Sequence, residues 1–358
     1  MAPNLTFRLH EGVKWHDGQP FTANDVKCTW DLLLGKSPEK LRANPRKAWY
    51  QNVEAVTADT DLAATFHLKR PQPAIVAFPF EVTVPLLRDV KSQAPQAVCE
   101  LAPANASANL ITNRDAPPFD NPEMRLALAL ALDRKAFIDI LAEGQGDIGG
   151  AMQPLPEGVW GLPPDMLATL PGYGPDVQKN RAEARGIMEK LGYGLDKRLA
   201  VKVSERNIAI FRDPAVILID QLKEIYVDGE LDPIETANWF PQIYRKDYKI
   251  GLNLTGVGVD DPDAQFFENY ACGSQRNYTG YCNPELQKLF EQQSMETDQE
   301  KRKRLVWEID RRLQEDQARP IVYHLRFGTC WQPRVKGLRM MVNSVFNGWR
   351  FEDVWLDK

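Results

Sequence analysis

The chain reads as an α/β protein of two domains. Three observations predict this. Short apolar, strand-like runs alternate with helix-like segments along most of the 358 residues. That length is about twice the usual domain size. Hydrophobic residues make up 43% and charged residues 26%, so the chain carries enough apolar side chains to fill cores and is not globally disordered.

At the start, Leu5, Phe7 and Leu9 alternate, as do Val13 and Trp15, and predict two strands around the turn His16-Asp17-Gly18. Thr22 is placed to cap a helix carrying Val26, Trp30, Leu33 and Leu34 at helical spacing. Strands follow at 53–56 and 64–68, and Pro71 and Pro73 break the pattern. A strand is predicted at 97–102. Asn121 and Pro122 then open a helix running to about Leu141, apolar on all sides and therefore buried. Residues 144–178 form a Gly/Pro-rich connection. A helix over 181–191, capped by Asn180 and ended by Gly192, precedes a strand at 199–203 and a helix over 214–226. Short strands are expected at 234–237 and 249–254, and helices at 285–293 and 298–316. A strand at 321–324 and short strands with aromatic loops over 335–356 complete the chain. No repeat is present.

Composition excludes several functions. The net charge of −5 gives no basic surface for nucleic acid. The longest apolar run, Leu126 to Leu132, is far short of the ~20 residues a membrane span needs. Met1 to His10 lacks the basic and apolar regions of a signal peptide. No C-x-x-C, H-E-x-x-H or G-x-S-x-G occurs, so neither a metal nor a nucleophilic site is expected. Gly144 to Gly149 fits G-x-G-x-x-G letter for letter. However, a helix precedes it and a proline-rich loop follows, the reverse of a dinucleotide site, and no cofactor is expected. Leu34-Gly35-Lys36-Ser37 imitates the end of a phosphate loop but lacks its upstream glycine.

Five cysteines cannot all pair. Cys272 and Cys282 share a polar loop, where either a bridge or two free thiols fits. Asp260, Asp261 and Asp263 follow a strand, and capping around Pro262 is the expected role of the last two. Lys301 to Arg304 lies among acids at helical reach and reads as a solvated, self-paired helix face. Trp160 and Trp239-Phe240 fall in or near loops, where aromatics stack on ligands.

Four segments, in order along the chain, resemble the bacterial extracellular solute-binding proteins of family 5, the peptide/nickel class of ABC importers. The first is Leu5-Thr6-Phe7-Arg8-Leu9-His10-Glu11-Gly12-Val13-Lys14-Trp15-His16-Asp17-Gly18-Gln19-Pro20-Phe21-Thr22-Ala23-Asn24-Asp25-Val26. The second is Asn113 with Pro117 to Pro122, then Arg125, Ala127, Ala131 and Asp133-Arg134. The third is Asp261-Pro262-Asp263 with Asn277, Tyr278, Gly280-Tyr281, Asn283-Pro284-Glu285 and Leu289. The fourth is Arg319-Pro320-Ile321 with Val335-Lys336-Gly337.

The resemblance implies a two-lobe periplasmic-binding-protein-like fold (type II, cluster C-like). Residues 1–100, completed by 325–358, form a first lobe that is incomplete. Residues 101–324 form the second, with crossovers near 97–109 and 319–324. It implies capture of an oligopeptide or other small organic solute between the lobes, delivery to ABC permease subunits in the inner membrane, a periplasmic location and a monomer without chemistry. Expected solute-binding residues are Trp239, Gly256, Val257, Gly258 and Asp260. The acid that receives a peptide amino terminus in the family aligns with Gly258; its loss costs a free ammonium a bond of roughly 1.5–3 kcal/mol. The first lobe is short in two places: before Leu5, and where Pro71-Gln72-Pro73 runs almost directly into Phe78-Pro79-Phe80-Glu81. Two other readings stay open: a carboxylate-pair hydrolase, and a non-functional fragment of a solute-binding protein.

Overall fold

A computed structural model of the protein describes residues 4–15, 17–37, 52–69, 80–342 and 353–357. The break expected at Pro71 to Phe78 lies outside them. The chain divides into two compact units, Met1–Phe78 and Pro79–Lys358.

In the first unit, β1 (Asn4–Arg8), β2 (Val53–Thr60) and β3 (Ala63–Leu68) form an antiparallel sheet in the order β1-β3-β2. Helix α1 (Ala23–Leu34) begins where Thr22 predicts it. The Thr22 backbone N–H donates to Asp25 Oδ2 at 2.7 Å, and its hydroxyl donates to the same oxygen at 3.0 Å. Gly35 ends the helix at φ +72°, which accounts for the Leu34-Gly35-Lys36-Ser37 letters as a helix stop. Phe66 meets Phe7 and Trp30 edge to face over a core of Val53, Val56 and Leu68. Of the expected strand at Val13–Trp15, only a single bridge, Lys14 to Pro20, is formed.

The second unit is built on six strands: β4 (Phe80–Val82), β5 (Val98–Thr112), β6 (Leu199–Arg206), β7 (Val227–Ile234), β8 (Ile250–Gly256) and β9 (Ile321–Trp331). Their order is β4-β9-β5-β8-β6-β7. Strand β6 runs parallel to both β7 and β8, and the other pairs are antiparallel. The helices are α2 (Val84–Gln93), α3 (Pro122–Ala131), α4 (Arg134–Ala142), α5 (Pro164–Leu167), α6 (Val177–Lys190), α7 (Ala209–Lys223), α8 (Thr236–Tyr244), α9 (Pro262–Asn269), α10 (Pro284–Met295) and α11 (Gln299–Glu315). A two-stranded ribbon, β10 (Val335–Lys336) with β11 (Trp355–Leu356), follows.

Strand β5, in the middle of the sheet, is buried on both faces. Leu110 joins Val203, Ile250 and Leu252 in a core with α3, α4, α6 and α7, whereas Ile111 joins Ile234, Trp239 and Tyr248. Each enclosed Leu or Phe contributes about 1.5–3 kcal/mol relative to exposure. A third core, around Phe266, Phe290 and Leu313, joins α9, α10 and α11.

Several boundaries differ from expectation for local reasons. The helix expected to run from Pro122 to Leu141 is two helices. Asp133 leaves the helical path and accepts the Ala136 N–H at 3.0 Å, capping α4. Helix α6 starts four residues early, because Asp176 rather than Asn180 is its cap. Pro214 lies inside α7, not at its start. The strand expected at 234–237 is instead the end of β7 and the start of α8.

Candidate functional site

The loop after β8 holds four of the five expected solute-binding residues. Gly256 closes β8. The Val257 N–H donates to the Asn105 carbonyl at 3.4 Å, and Asn105 Nδ2 returns a bond of the same length to the Val257 carbonyl. Asn105 holds φ +46°, inside the irregular stretch of the β5–β9 ladder between Pro103 and Ser107. Val257 is buried, while Gly258 and Val259 are exposed.

Asp260 is half-buried. Its Oδ2 accepts the Val159 N–H at 3.1 Å, its carbonyl accepts Trp160 Nε1–H at 3.0 Å, and Oδ1 has no partner. Burial raises its pKa; the Val159 bond opposes that shift. The next residue, Asp261, caps α9 by accepting the Asp263 N–H. Arg302 clamps Asp261 with two bonds, 2.9 and 3.0 Å, and lies 4.8 Å over the Trp160 ring. The loop is thus fixed at both ends, and its tip stays open.

Trp239 is placed elsewhere. It is fully enclosed on α8 among Ile111, Ile234 and Tyr248, and offers no surface to a solute. Its reading as a ligand contact rested on a loop there; the helix turns the ring into the core instead. Arg302 likewise departs from the solvated face expected of Lys301 to Arg304, although Lys303 does pair with Glu300 at 3.0 Å.

We expect Arg302→Ala to lower stability by about 2 kcal/mol, since it strips a half-buried bidentate pair and a ring contact. The loss should show as a lower urea midpoint. A midpoint matching the unsubstituted protein would mean the clamp contributes nothing.

The glycine run after α4 has a structural role. Asp147 forms a backbone bridge with His324 of β9, and its carboxylate takes Arg326 at 2.7 and 3.0 Å. Arg326 also holds Glu157 at 3.0 Å, tying the stretch that carries Val159 and Trp160 to the sheet. Residues 149–152 form a turn gripped by two buried groups. His324 Nε2 bonds the Gly150 carbonyl at 2.8 Å. Asp310 accepts the Ala151 and Met152 N–H groups at 2.8 and 3.3 Å. A Cβ on Gly150 would stand 2.4 Å from the Asp310 carboxylate oxygens.

The other recognised segments also hold backbone. Arg125 Nη1 donates to the Phe119 and Asp120 carbonyls, and Arg134 to those of Ile321 and Gly172. Asn113 Nδ2 donates to Lys246 and Tyr248.

Two disulfides are formed. Cys272–Cys282 settles the open alternative in favour of a bridge. Cys99–Cys330, which sequence reasoning missed, joins directly opposed residues of β5 and β9. Cys28 is free and exposed. Among the described residues, no cluster of three His, Cys, Asp or Glu is set to hold a metal, and no helix is long and apolar enough to cross a membrane.

The second unit is a mixed α/β fold with its exposed loop at the C-terminal end of a parallel strand. This is the fold of the peptide-binding proteins of bacterial importers. The structure of AppA from Bacillus subtilis in complex with a nonapeptide superposes with a TM-score of 0.65 at 16% identity, covering 99% of this chain and 87% of that one. A family model described as bacterial extracellular solute-binding proteins, family 5 Middle, matches residues 3–98 and 81–277, and the chain belongs to that family. The peptide transport periplasmic protein SapA of Salmonella typhimurium is 27% identical over 219 residues, which is 59% of this chain and 37% of SapA. The oligopeptide-binding protein OppA of Bacillus subtilis is 29% identical over 201 residues, or 54% and 35% of the two chains. The chain thus aligns with little more than a third of the length of these curated relatives.

Proposed function

We propose that the protein is the substrate-binding component of an ABC importer, which takes up a peptide-like or other small organic solute and hands it on unchanged. The observation that carries this reading is the family match over both units, joined to a loop, Gly256–Asp260, that is anchored at its ends and exposed at Gly258 and Val259. The lobe assignment read from the sequence is part of the proposal. Residues 1–100 with 325–358 move against 101–324, bending at 97–109 and 319–324. So are the permease partners and the monomeric state.

Absence of chemistry is supported by how the carboxyls are distributed. Burial raises Glu205, Asp260 and Asp310. They lie at the end of β6, in the loop and on α11, and none of these three acts on another of them. A hydrolase of the carboxylate-pair type needs two such groups facing one bond. A location outside the cytoplasm is supported by the two disulfides, since a reducing compartment keeps thiols free.

The test is calorimetry and thermal shift against tripeptides and small organic solutes. We expect at least one probe to raise the melting temperature by several degrees at saturation, because a ligand bound only to the native state stabilises it. A flat response to all of them, with no heat of binding, refutes the reading and leaves the fragment alternative.

A further inference from the structure

Three helices leave a gap against β9. The first turn of α2, the last turn of α4 and the start of α7 meet the strand around a cavity of about 260 Å³. Val84, Leu141, Ile210, Pro214, Leu325 and Phe327 make its wall apolar. Ala209 and Asp213 at its edge are exposed, so it opens to solvent. Its two charged groups are already paired. Asp213 holds Arg212 at 3.2 Å, and Arg326 is held by Asp147 and Glu157 at 2.7 and 3.0 Å. No residue of the loop Gly256–Asp260 lines it.

One polar group of the wall has no partner. Tyr323 is 5% exposed and stacks on Phe137 at 6.4 Å, which fixes its ring, yet its hydroxyl makes no hydrogen bond among the described residues. Burial alone acts on this phenol and pushes its pKa up, so it stays protonated and able to donate. Buried hydroxyls of native proteins are hydrogen-bonded, to protein, to water or to a ligand. A cavity of about 150 Å³ lined by Leu, Ile and Phe takes up benzene, so the larger space beside Tyr323 has room for a ring with substituents.

We propose that the cavity receives a neutral aromatic group bearing a hydroxyl, whose ring fills the apolar wall and whose oxygen bonds the Tyr323 hydroxyl. A charged group is refused, because Asp213 and Arg326 are already neutralised and no other ionised side chain lines the wall to receive it. As the class of solute captured, a phenolic one, this rests on the solute-binding reading; the cavity itself is tested apart from it.

The test is titration calorimetry of the full chain at pH 7 with p-cresol, toluene and benzoate, followed by the tripeptides Gly-Tyr-Gly and Gly-Lys-Gly. The unsubstituted protein binds p-cresol saturably, about two- to tenfold tighter than toluene, the worth of one neutral hydrogen bond, and does not bind benzoate. Tyr323→Phe brings p-cresol down to the toluene level and leaves toluene within about twofold. Ala142→Leu, which fills the cavity, abolishes binding of both. Should that variant fold poorly, Ala209→Phe closes the exposed mouth and has the same effect. No binding of p-cresol, binding that survives both filling variants, or an affinity unchanged by Tyr323→Phe overturns the proposal. Binding of p-cresol as expected with no response to either tripeptide supports the cavity and counts against peptide capture. Binding of a tripeptide without binding of p-cresol overturns the cavity and leaves solute capture standing.

Discussion

Replacing both Cys99 and Cys330 by alanine lowers the unfolding free energy by roughly 5 kcal/mol, about twice the loss from the same change at Cys272 and Cys282. Chain entropy sets the ratio. The first bridge spans 231 residues and the second 10, and the freedom removed from the unfolded chain grows with the logarithm of the loop. On that relation the short bridge contributes about 2–3 kcal/mol. Position adds to the difference. Cys99 and Cys330 sit opposite one another in the β5–β9 ladder, on the β4 side of its irregularity at Pro103–Ser107, and hold together strands that meet only in the folded protein. Urea denaturation of the oxidised variants measures both losses. Equal midpoints for the two double variants would refute the entropic account.

Asp310→Ala costs about 3–5 kcal/mol. The substitution strands the Ala151 and Met152 N–H groups and Gln314 Nε2 in a site without water contact, at about 1–3 kcal/mol for each group left unpaired. It also changes the pH profile in a direction that can be worked out. Burial pushes the Asp310 carboxyl up to about 6, against 3.8 unfolded. Between pH 4 and 6 the folded state therefore holds this proton more tightly, and the contribution of the group to stability falls as pH rises. His324, on the other side of the same turn, is pushed by burial down to about 4 from 6.5. Its contribution falls as pH drops from 6.5 towards 4. In the unsubstituted protein the two trends oppose each other across one window. Without Asp310 the histidine acts alone, so the variant loses more stability between pH 7 and 5 than the unsubstituted protein does. Urea midpoints at the two pH values read the difference, and parallel profiles would sink this account.

Most elements of the fold were legible because their signals are local. Thr22, Asn121 and Asp261 each announce a helix with an oxygen that accepts, or a box that closes, within four residues. Strands β1, β3, β6 and β8 were found where apolar residues recur. Strand β7 was missed, because Val227–Ile234 carries Asp228, Glu230 and Asp232 at every second position and reads as polar loop. Helix α8 was missed for a related reason. Pro241 sits within it and reads as a break, so Trp239 falls in a loop by sequence, whereas the helix commits it to the core.

The site divides in the same way. The loop Gly256–Asp260 was visible as a glycine-rich stretch after a strand, and the capping role of Asp261 followed from Pro262. Its anchors were not visible. Arg302 lies 41 residues from Asp261, and Trp160 lies 100 from Asp260; no spacing rule joins such pairs. Motif, order and composition by themselves determined the family, the α/β class and the absence of a known catalytic signature, since those depend on residue type and short-range spacing. Only the folded chain decided that Cys99 meets Cys330, that Trp239 is enclosed, and that α2, α4, α7 and β9 wall one cavity. Each of these is a matter of which distant segments the sheet order brings side by side, and of how much water is left between them.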